Sequence, residues 1–373
     1  NPGQSSLTVE AGPVVVGVAT ENQWWGPGIR NALVMSNNAG GIPHAFLRTR
    51  APLRTRVGTF EGRLMAGALT ESVFFDTLSG NDFRSLSGLA LTYTPVWVPG
   101  LTAGFSRVVY AGVDGTGDLP GHALDVFGRV PEPEMTLTVH GDTVWFERPD
   151  QMLSLFARWV FPRDRLEVYA EWARRTPPAS FRDWLAAPNH GQAYTLGSQW
   201  ATPVRGDLLR FQAELSYLEQ STTFRQRRQD MYYASRSVRQ GYTQRGQVVG
   251  AAIGPGASSQ WVAGDWLARG WQAGVFAGRV RWENDAYYRV RTERFGRTGY
   301  DVGFLGHDVS VLGGLRGGVR LPWVDVSAEL TRAKRFDYLF QNSSVTFTGE
   351  KAVDVHNTTL SLTLSTPAGR PLP

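Results

Sequence analysis

The sequence predicts an all-β fold: a transmembrane outer-membrane β-barrel of roughly 16–18 antiparallel strands, with an inward-folded insert and short helical caps. Three observations carry this expectation. Apolar and polar residues alternate with period two through much of the chain. Charged residues such as Arg158, Glu171, Arg210 and Glu214 recur on the polar face at mid-strand, while Trp97, Trp159, Phe161, Trp172 and Tyr217 gather toward strand ends. Short connections also alternate with long ones, as periplasmic turns do with external loops. A soluble sandwich buries its apolar stripes, whereas a membrane barrel turns them to lipid. The three features together favour the barrel, and residues 1–373 read as a single barrel domain.

The stripes are explicit. Leu209, Phe211, Ala213, Leu215 and Tyr217 alternate with Arg210, Gln212, Glu214 and Ser216. Leu166, Val168, Ala170 and Trp172 alternate with Arg165, Glu167, Tyr169 and Glu171. In order, strands are expected over 7–18, 45–56, 60–71, 85–96, 101–111, 151–161, 165–174, 192–202 and 207–219. They continue over 244–254, 258–267, 271–282, 301–313, 317–330, 336–347 and 354–365. Phe181, Trp184 and Leu185 share a helical face within 178–187, and Ile29–Met35 reads as a further helical turn. Met135–Glu147 reads as a small hairpin around Gly141–Asp142.

Composition narrows the classes. Of 373 residues 12% are aromatic, 42 are Gly and 21 are Pro, so turns and ring contacts are plentiful. No run approaches the roughly 18 apolar residues of a membrane helix. The longest, Ala11–Ala19, is broken by Gly12 and Pro13. Cys is absent, which removes disulfides, thiolate catalysis and cysteine-ligated metal sites. The net charge of +5 is carried almost wholly by Arg, with Lys at Lys334 and Lys351 alone. These guanidiniums are scattered among strands and turns beside Glu and Asp, not gathered into a nucleic-acid patch. No leader segment opens the chain, so export is not read from its first residues.

The segment 21–50, ENQWWGPGIRNALVMSNNAGGIPHAFLRTR, is too rich in Gly, Asn and Pro to be one regular element. Its ordered string Glu21, Asn22, Gln23, Trp24, Trp25, Gly26, Pro27, Gly28, then Ser36, Asn37, Asn38, Pro43, Leu47, Arg48 and Thr49, resembles the signature of the Wzi family of outer-membrane capsule-assembly proteins. A second block, GYTQRGQVVGAAIGPG at 241–256, resembles the family's later pattern through Arg245, Gly246, Gly250, Ile253, Gly254 and Pro255. The likeness covers most of the chain. It implies a barrel of about eighteen strands with an occluded lumen, located in the bacterial outer membrane and helping capsular polysaccharide assemble on or attach to the cell surface. The family's barrels commonly end on an aromatic residue, whereas this chain runs on as TPAGRPLP to Pro373.

Two places suit glycan. Ser221–Tyr233 and Asn284–Tyr300 interleave Arg with aromatics: Arg225, Arg227, Arg228, Tyr232 and Tyr233 in the first, and Tyr287, Tyr288, Arg289, Arg291, Arg294, Phe295 and Arg297 in the second. Guanidinium forks suit carboxylates of an acidic polymer and aromatic rings suit sugar faces. A plainer reading makes these loops solvated rims touching lipopolysaccharide phosphates. In the insert, Trp24 and Trp25 offer flat faces and Asn22, Gln23, Asn37 and Asn38 offer amides, beside Glu21. The same residues serve equally to lock the insert against the inner wall, with Pro27 directing the chain. The charged mid-strand residues read as a ladder of mutual pairs.

Catalysis is not expected. The six histidines form no metal-like spacing, and no nucleophile elbow, phosphate loop or dinucleotide fingerprint is present. No cofactor or metal is called for. The leading expectation is non-catalytic binding of surface polysaccharide. A porin-like channel and a structural barrel subunit of a cell-envelope complex are the alternatives. Expected partners are outer-membrane lipid, lipopolysaccharide, a surface polysaccharide and an envelope protein, but not nucleic acid.

Overall fold

The computed structural model describes residues 3–75, 82–130, 138–139, 142–143, 148–175, 180–225, 229–287, 306–340 and 353–366, with the side chains of Thr138, Val139, Asp142, Thr143, Phe224 and Arg225 excepted. Its strands are β1 (Ser6–Ala11), β2 (Val14–Ala19), β3 (His44–Thr49), β4 (Leu53–Arg54), β5 (Gly58–Thr70), β6 (Phe83–Pro95) and β7 (Leu101–Val113). Next come β8 (Thr138–Val139), β9 (Asp142–Thr143), β10 (Asp150–Phe161), β11 (Leu166–Arg174), β12 (Gln192–Val204) and β13 (Asp207–Tyr217). The last are β14 (Thr243–Gln244), β15 (Gln247–Val248), β16 (Ser258–Leu267), β17 (Trp271–Arg281), β18 (Val309–Arg320), β19 (Asp325–Phe336) and β20 (Val355–Ser365). One short helix, α1 (Phe181–Ala186), is capped by Ser180, whose side chain accepts the Asp183 N–H.

The chain forms two compact units. Unit 1 is Asn1–Trp159, Tyr169–Thr195 and Gln220–Pro255; unit 2 is Val160–Val168, Leu196–Glu219 and Gly256–Pro373. In unit 1 the antiparallel ladder runs β1-β2-β3-β5-β6-β7-β10, with β4 also on β5. In unit 2 it runs β13-β16-β17-β18-β19-β20. Neighbours in sequence are neighbours in the ladder, so each connection need only reverse the chain. Short connections, at 12–13, 96–100, 162–165, 205–206, 268–270 and 321–324, alternate along the chain with long ones. The long ones are 20–43, 71–82, 114–149, 175–191, 218–257, 282–308 and 337–354.

Polarity across the strands is inverted relative to a soluble protein. Leu7 is 73% exposed and Val275 58%, while Arg84 is 2% exposed and Ser154 fully buried. On β11, Val168 and Ala170 are exposed while Tyr169, Glu171 and Ala173 are buried. On β13, Phe211 is exposed and stacks on Trp200, whereas Arg210 and Gln212 bond to polar side chains of neighbouring strands. Residues of period two lie on one face of a strand, so β11 and β13 each show an apolar outer face and a polar inner one. That is the arrangement of a wall set in lipid.

Several sequence expectations shift. The stretch read as one strand, 7–18, is the β1–β2 hairpin, turned at Gly12 (φ 60°) and Pro13. Block 244–254 contributes no wall strand; it holds the two-residue ladder β14–β15. Strands expected at 301–313 and 317–330 lie further along, as β18 and β19. Gly313–Gly314 looked like a boundary but sits inside β18. A Cβ at Gly314 would lie 2.4 Å from the Phe276 ring, so this glycine makes room for a side chain and does not turn the chain. Ile29–Met35 is bent and not helical. Its backbone groups bond to other segments, leaving no local helical ladder. The hairpin expected within 135–147 is present as β8 and β9. Of the 336–347 expectation, Tyr338–Phe340 is a 3-10 turn, and residues 341–347 lie outside the described residues.

The facing of β13 is open to direct test. Spin labels at Leu209, Phe211, Ala213 and Leu215 should be reached by a lipid-soluble quencher, and labels at Arg210, Gln212 and Glu214 should not. The reverse pattern would overturn the assignment of its faces.

Candidate functional site

The two signature blocks, about 200 residues apart in sequence, pack together in unit 1. Trp25 opens the insert's core: its N–H donates to Met35 O at 3.0 Å, forming an isolated antiparallel bridge. Asn31–Ser36 is buried throughout. The Leu33 N–H donates to the Glu171 carboxylate on β11 at 3.2 Å. Gly26 approaches the same carboxylate with φ +126°, and a Cβ there would lie 2.6 Å from Glu171 Oε2. No other residue combines that backbone with that approach. The Trp25 ring lies over β6, where a Cβ on Gly88 would sit 2.7 Å from it. Glu171 lies on the face of β11 opposite the exposed Val168, so the insert rests on the inner side of the unit 1 wall.

The second block meets the insert from above. Ser36 donates its N–H to Val249 O (2.9 Å) and its hydroxyl to Gly250 O (2.6 Å). Asn38 Nδ2 donates to Val248 O at 2.8 Å. Tyr233 OH donates to Leu33 O (2.7 Å) and accepts the Ala251 N–H (2.8 Å), joining both blocks through one phenol. Tyr232, Tyr233 and Tyr242 cluster by ring contacts, and Tyr242 also meets Tyr110. Burial pushes the Tyr233 phenol well above its ordinary ionisation range, against the opposing pull of the Ala251 N–H. Burial likewise raises Tyr232 and Tyr242. Close by, Arg175 is held by Asp150 and Asp230, and Arg236 Nε reaches Asp230 at 2.8 Å. The buried Arg175 and Asp150 are thus paired, as burial requires.

Unit 2 carries a polar cleft on its inner face, of about 380 Å³. Asp265 on β16 is nearly buried and holds two guanidiniums. Arg316 binds it with Nε and Nη2, both at 2.7 Å, and Arg210 with Nη2 at 3.0 Å. Arg316 also donates to Gln212 at 3.0 Å, and Gln212 donates to Gln199 at 2.6 Å. Gln272, Ser327, Glu329, Ser361 and Thr363 complete the lining. Two guanidiniums, two carboxylates, an amide and three hydroxyls thus converge on one space, a dense set of donors and acceptors. Arg210 is paired as expected of a mid-strand charge, but its partner is Asp265, an acid in the apolar run WVAGDWL that the sequence reading missed. A charge breaking that run was the available signal.

The residues singled out in the sequence fare differently. Glu21 accepts from Ser6 Oγ (2.7 Å), and the Asn22 N–H donates to Gln4 Oε1 (2.6 Å) while its amide reaches Asn37 O (3.4 Å). Gln23 Nε2 donates to Glu21 O at 3.4 Å. Trp24 is 37% exposed, with its indole N–H on Gly28 O at 2.9 Å, and Pro27 follows Gly26 in the same bend. Asn37 is exposed and Asn38 half-buried. The structure corrects the reading of Tyr232, Tyr233 and Tyr287 as open ring platforms. All three are buried, Tyr287 against His307 and Phe340, because their rings fill the packed bases of long connections. Arg225 closes a 3-10 turn, Thr222–Arg225. Arg227, Arg228, Tyr288, Arg289, Arg291, Arg294, Phe295 and Arg297 lie outside the described residues.

Trp25→Ala should cost roughly 3–5 kcal/mol of stability, as for other large buried aromatics. Tyr233→Phe should cost about 1–3 kcal/mol, because Leu33 O and Ala251 N–H lose their partner. Denaturant unfolding in detergent checks both. The three raised phenols favour the fold fully below the unfolded tyrosine pKa of about 10, and that contribution falls as pH rises beyond it. Tyrosinate absorbance should therefore show them silent until the protein unfolds; titration of every tyrosine in the folded state would contradict their burial.

Comparison with known proteins places these features. Among solved structures, the outer-membrane protein Wzi of Escherichia coli, involved in group 1 capsule assembly and described as a carbohydrate-binding β-barrel, aligns with a TM-score of 0.67. That alignment is 11% identical and covers 98% of this chain and 70% of that one. OccK10 (OpdN) of Pseudomonas aeruginosa aligns at a TM-score of 0.37 and 10% identity, over 94% of this chain and 87% of that one. OccK11 (OpdR) of the same organism gives 0.35 and 9%, over 95% and 86%. No curated protein matches at a significant level. The first alignment establishes the barrel fold, and residues 3–267 match the model of the capsule assembly protein Wzi. The signature insert, the loop it docks on and the inverted wall are thus parts of one design: the chain belongs to the Wzi family of outer-membrane capsule-assembly β-barrels.

Proposed function

We propose that this protein assists assembly or surface attachment of an extracellular polysaccharide by binding glycan without catalysis. The observation that carries the reading is the unit 2 cleft around Arg210, Asp265 and Arg316. Its volume lies within the range of ordinary ligand sites, and its lining is rich in the fixed donors and acceptors that sugar hydroxyls need. The carbohydrate-binding description of the Escherichia coli barrel supports the same reading. The Arg-rich connections at 221–233 and 284–300 are the proposed second point of contact, through Arg289, Arg291 and Arg294 among others.

The two contacts differ in how they respond to salt. Labelled polymer binding is measured across a salt series, beside thermal unfolding. Gln272→Leu with Thr363→Val should weaken binding several-fold at every salt, since each lost hydrogen bond is worth about 0.5–1.5 kcal/mol. Replacing Arg289, Arg291 and Arg294 by Gln should weaken binding mainly at low salt and flatten the dependence, because attraction between charges in water is screened over about 8 Å at physiological ionic strength. Unchanged binding in both variants, at unchanged stability, would remove the glycan role from these sites.

The signature insert is assigned an occluding role. Resting on the inner side of the unit 1 wall, it should keep current through the reconstituted protein small. Removing Trp24–Asn38 should open a conductance or destabilise the protein. A large steady conductance in the intact chain would favour a porin-like role instead.

A further inference from the structure

Arg107 lies on the wrong face for a membrane wall. Leu7, Val18, Ala45, Ala66 and Ser87 are successive cross-strand partners from β1 to β6, and the exposed Leu7 and Val18 mark their row as outer. Two residues along β6, Leu89 belongs to the same face and pairs with Arg107 on β7. A bare guanidinium there would meet lipid, which is costly near mid-depth. The chain avoids this by folding residues 114–128 back over the outside of the wall. Arg107 donates to Val126 O and Gly128 O, both at 2.8 Å, and to Gln151 Oε1 at 2.7 Å. Ser87 donates its hydroxyl to Ala123 O (2.8 Å) and accepts the Val126 N–H (3.1 Å). Val109, Ala111 and Val113 of the same outer face are buried. The segment is a strap clipped to the outer surface of unit 1.

Between the strap and the β1-β2-β3-β5 wall runs a groove of about 850 Å³. Leu7, Val18, Ala45 and Ala66 form its floor, and Leu119 and Pro120 of the strap form its side. The small floor residues leave the space open. Ser5, Thr20, Thr70 and Thr116 line it too, the first three at the strand ends nearest the long connections. Hydroxyls at that end and apolar floor below match the polarity of a lipid molecule standing in a bilayer.

We infer that this groove holds an acyl chain of an outer-leaflet lipid. The face is continuous with the apolar wall that contacts lipid, so the medium that reaches the groove is lipid itself. Long connections mark the external end of such barrels, which places the strap and the hydroxyl-lined mouth at the outer leaflet. The strap's Leu124 and Phe127 are exposed, extending the apolar surface toward the same layer.

Native mass spectrometry of the protein extracted in mild detergent from its own outer membrane tests this. The wild type should carry one retained lipid. Ala66→Trp, which fills the floor, should lose it, while Val275→Trp on the outer face of β17 should keep it. Leu119→Asp, which charges the strap and leaves the wall strands unaltered, should also lose it and serves if Ala66→Trp fails to insert. The mass of the retained molecule distinguishes phospholipid from lipopolysaccharide. A wild type without lipid, or variants that retain it equally, would overturn the inference. So would a dimer that Ala66→Trp dissociates, since a second copy would then occupy the groove.

Discussion

Lipid offers no hydrogen bonds, and that fact organises the whole chain. Every backbone group in a membrane wall must be paired by a neighbouring strand, and every polar side chain must find its partner on the inner side. The meander from β1 to β7 and β10, and that from β13 to β20, meet the first demand with ladders between sequence neighbours. The second produces the inverted pattern in which Glu171, Ser154 and Asp265 are buried while Leu7, Val275 and Leu315 are exposed. Arg107 shows how strong the constraint is: a polar group on the outer face is matched by a strap whose carbonyls take the place of water.

A polar inner face then has to be satisfied in turn, and unit 1 and unit 2 do this differently. In unit 1 the signature insert and the 231–256 connection supply backbone donors and acceptors to one another and to Glu171. Tyr233 links them with a hydroxyl that donates to one block and accepts from the other. In unit 2 the inner-face Asp265 is satisfied by side chains, its two arginines, and the space beside them stays open. Packed backbone favours rigidity, whereas a side-chain-lined cleft leaves groups available to a ligand. That contrast is what the proposed division between a structural signature and a glycan-binding cleft rests on.

The sequence showed the wall plainly because period two is a local signal that needs no tertiary information. Phe211 between Arg210 and Gln212, and Val168 between Glu167 and Tyr169, announce their faces directly. What it hid depended on contacts remote in sequence. Gly314 looked like a turn because its partner, the Phe276 ring, is on another strand. Residues 244–254 looked like wall because Val248, Val249 and Ile253 give a strand-length run apolar character, yet the carbonyls of Val248 and Val249 serve Asn38 and Ser36. Tyr232 and Tyr233 looked like open rings because a connection rich in Arg suggests solvent. The Wzi resemblance marked both blocks that meet in unit 1 without indicating that they meet each other.

The central claim is that these two blocks fold as one buried piece held through Glu171. Hydrogen exchange in detergent-solubilised protein addresses it directly, by following the amides of Trp25, Leu33 and Ser36 beside those of Tyr242, Val249 and Ala251 in wild type and in Glu171→Ala. The account predicts that both sets are protected to the same degree in the wild type and lose protection together in the variant, while amides of β16 and β17 are unchanged. Release of the insert amides with the 242–251 set still fully protected would show two independent pieces and contradict it.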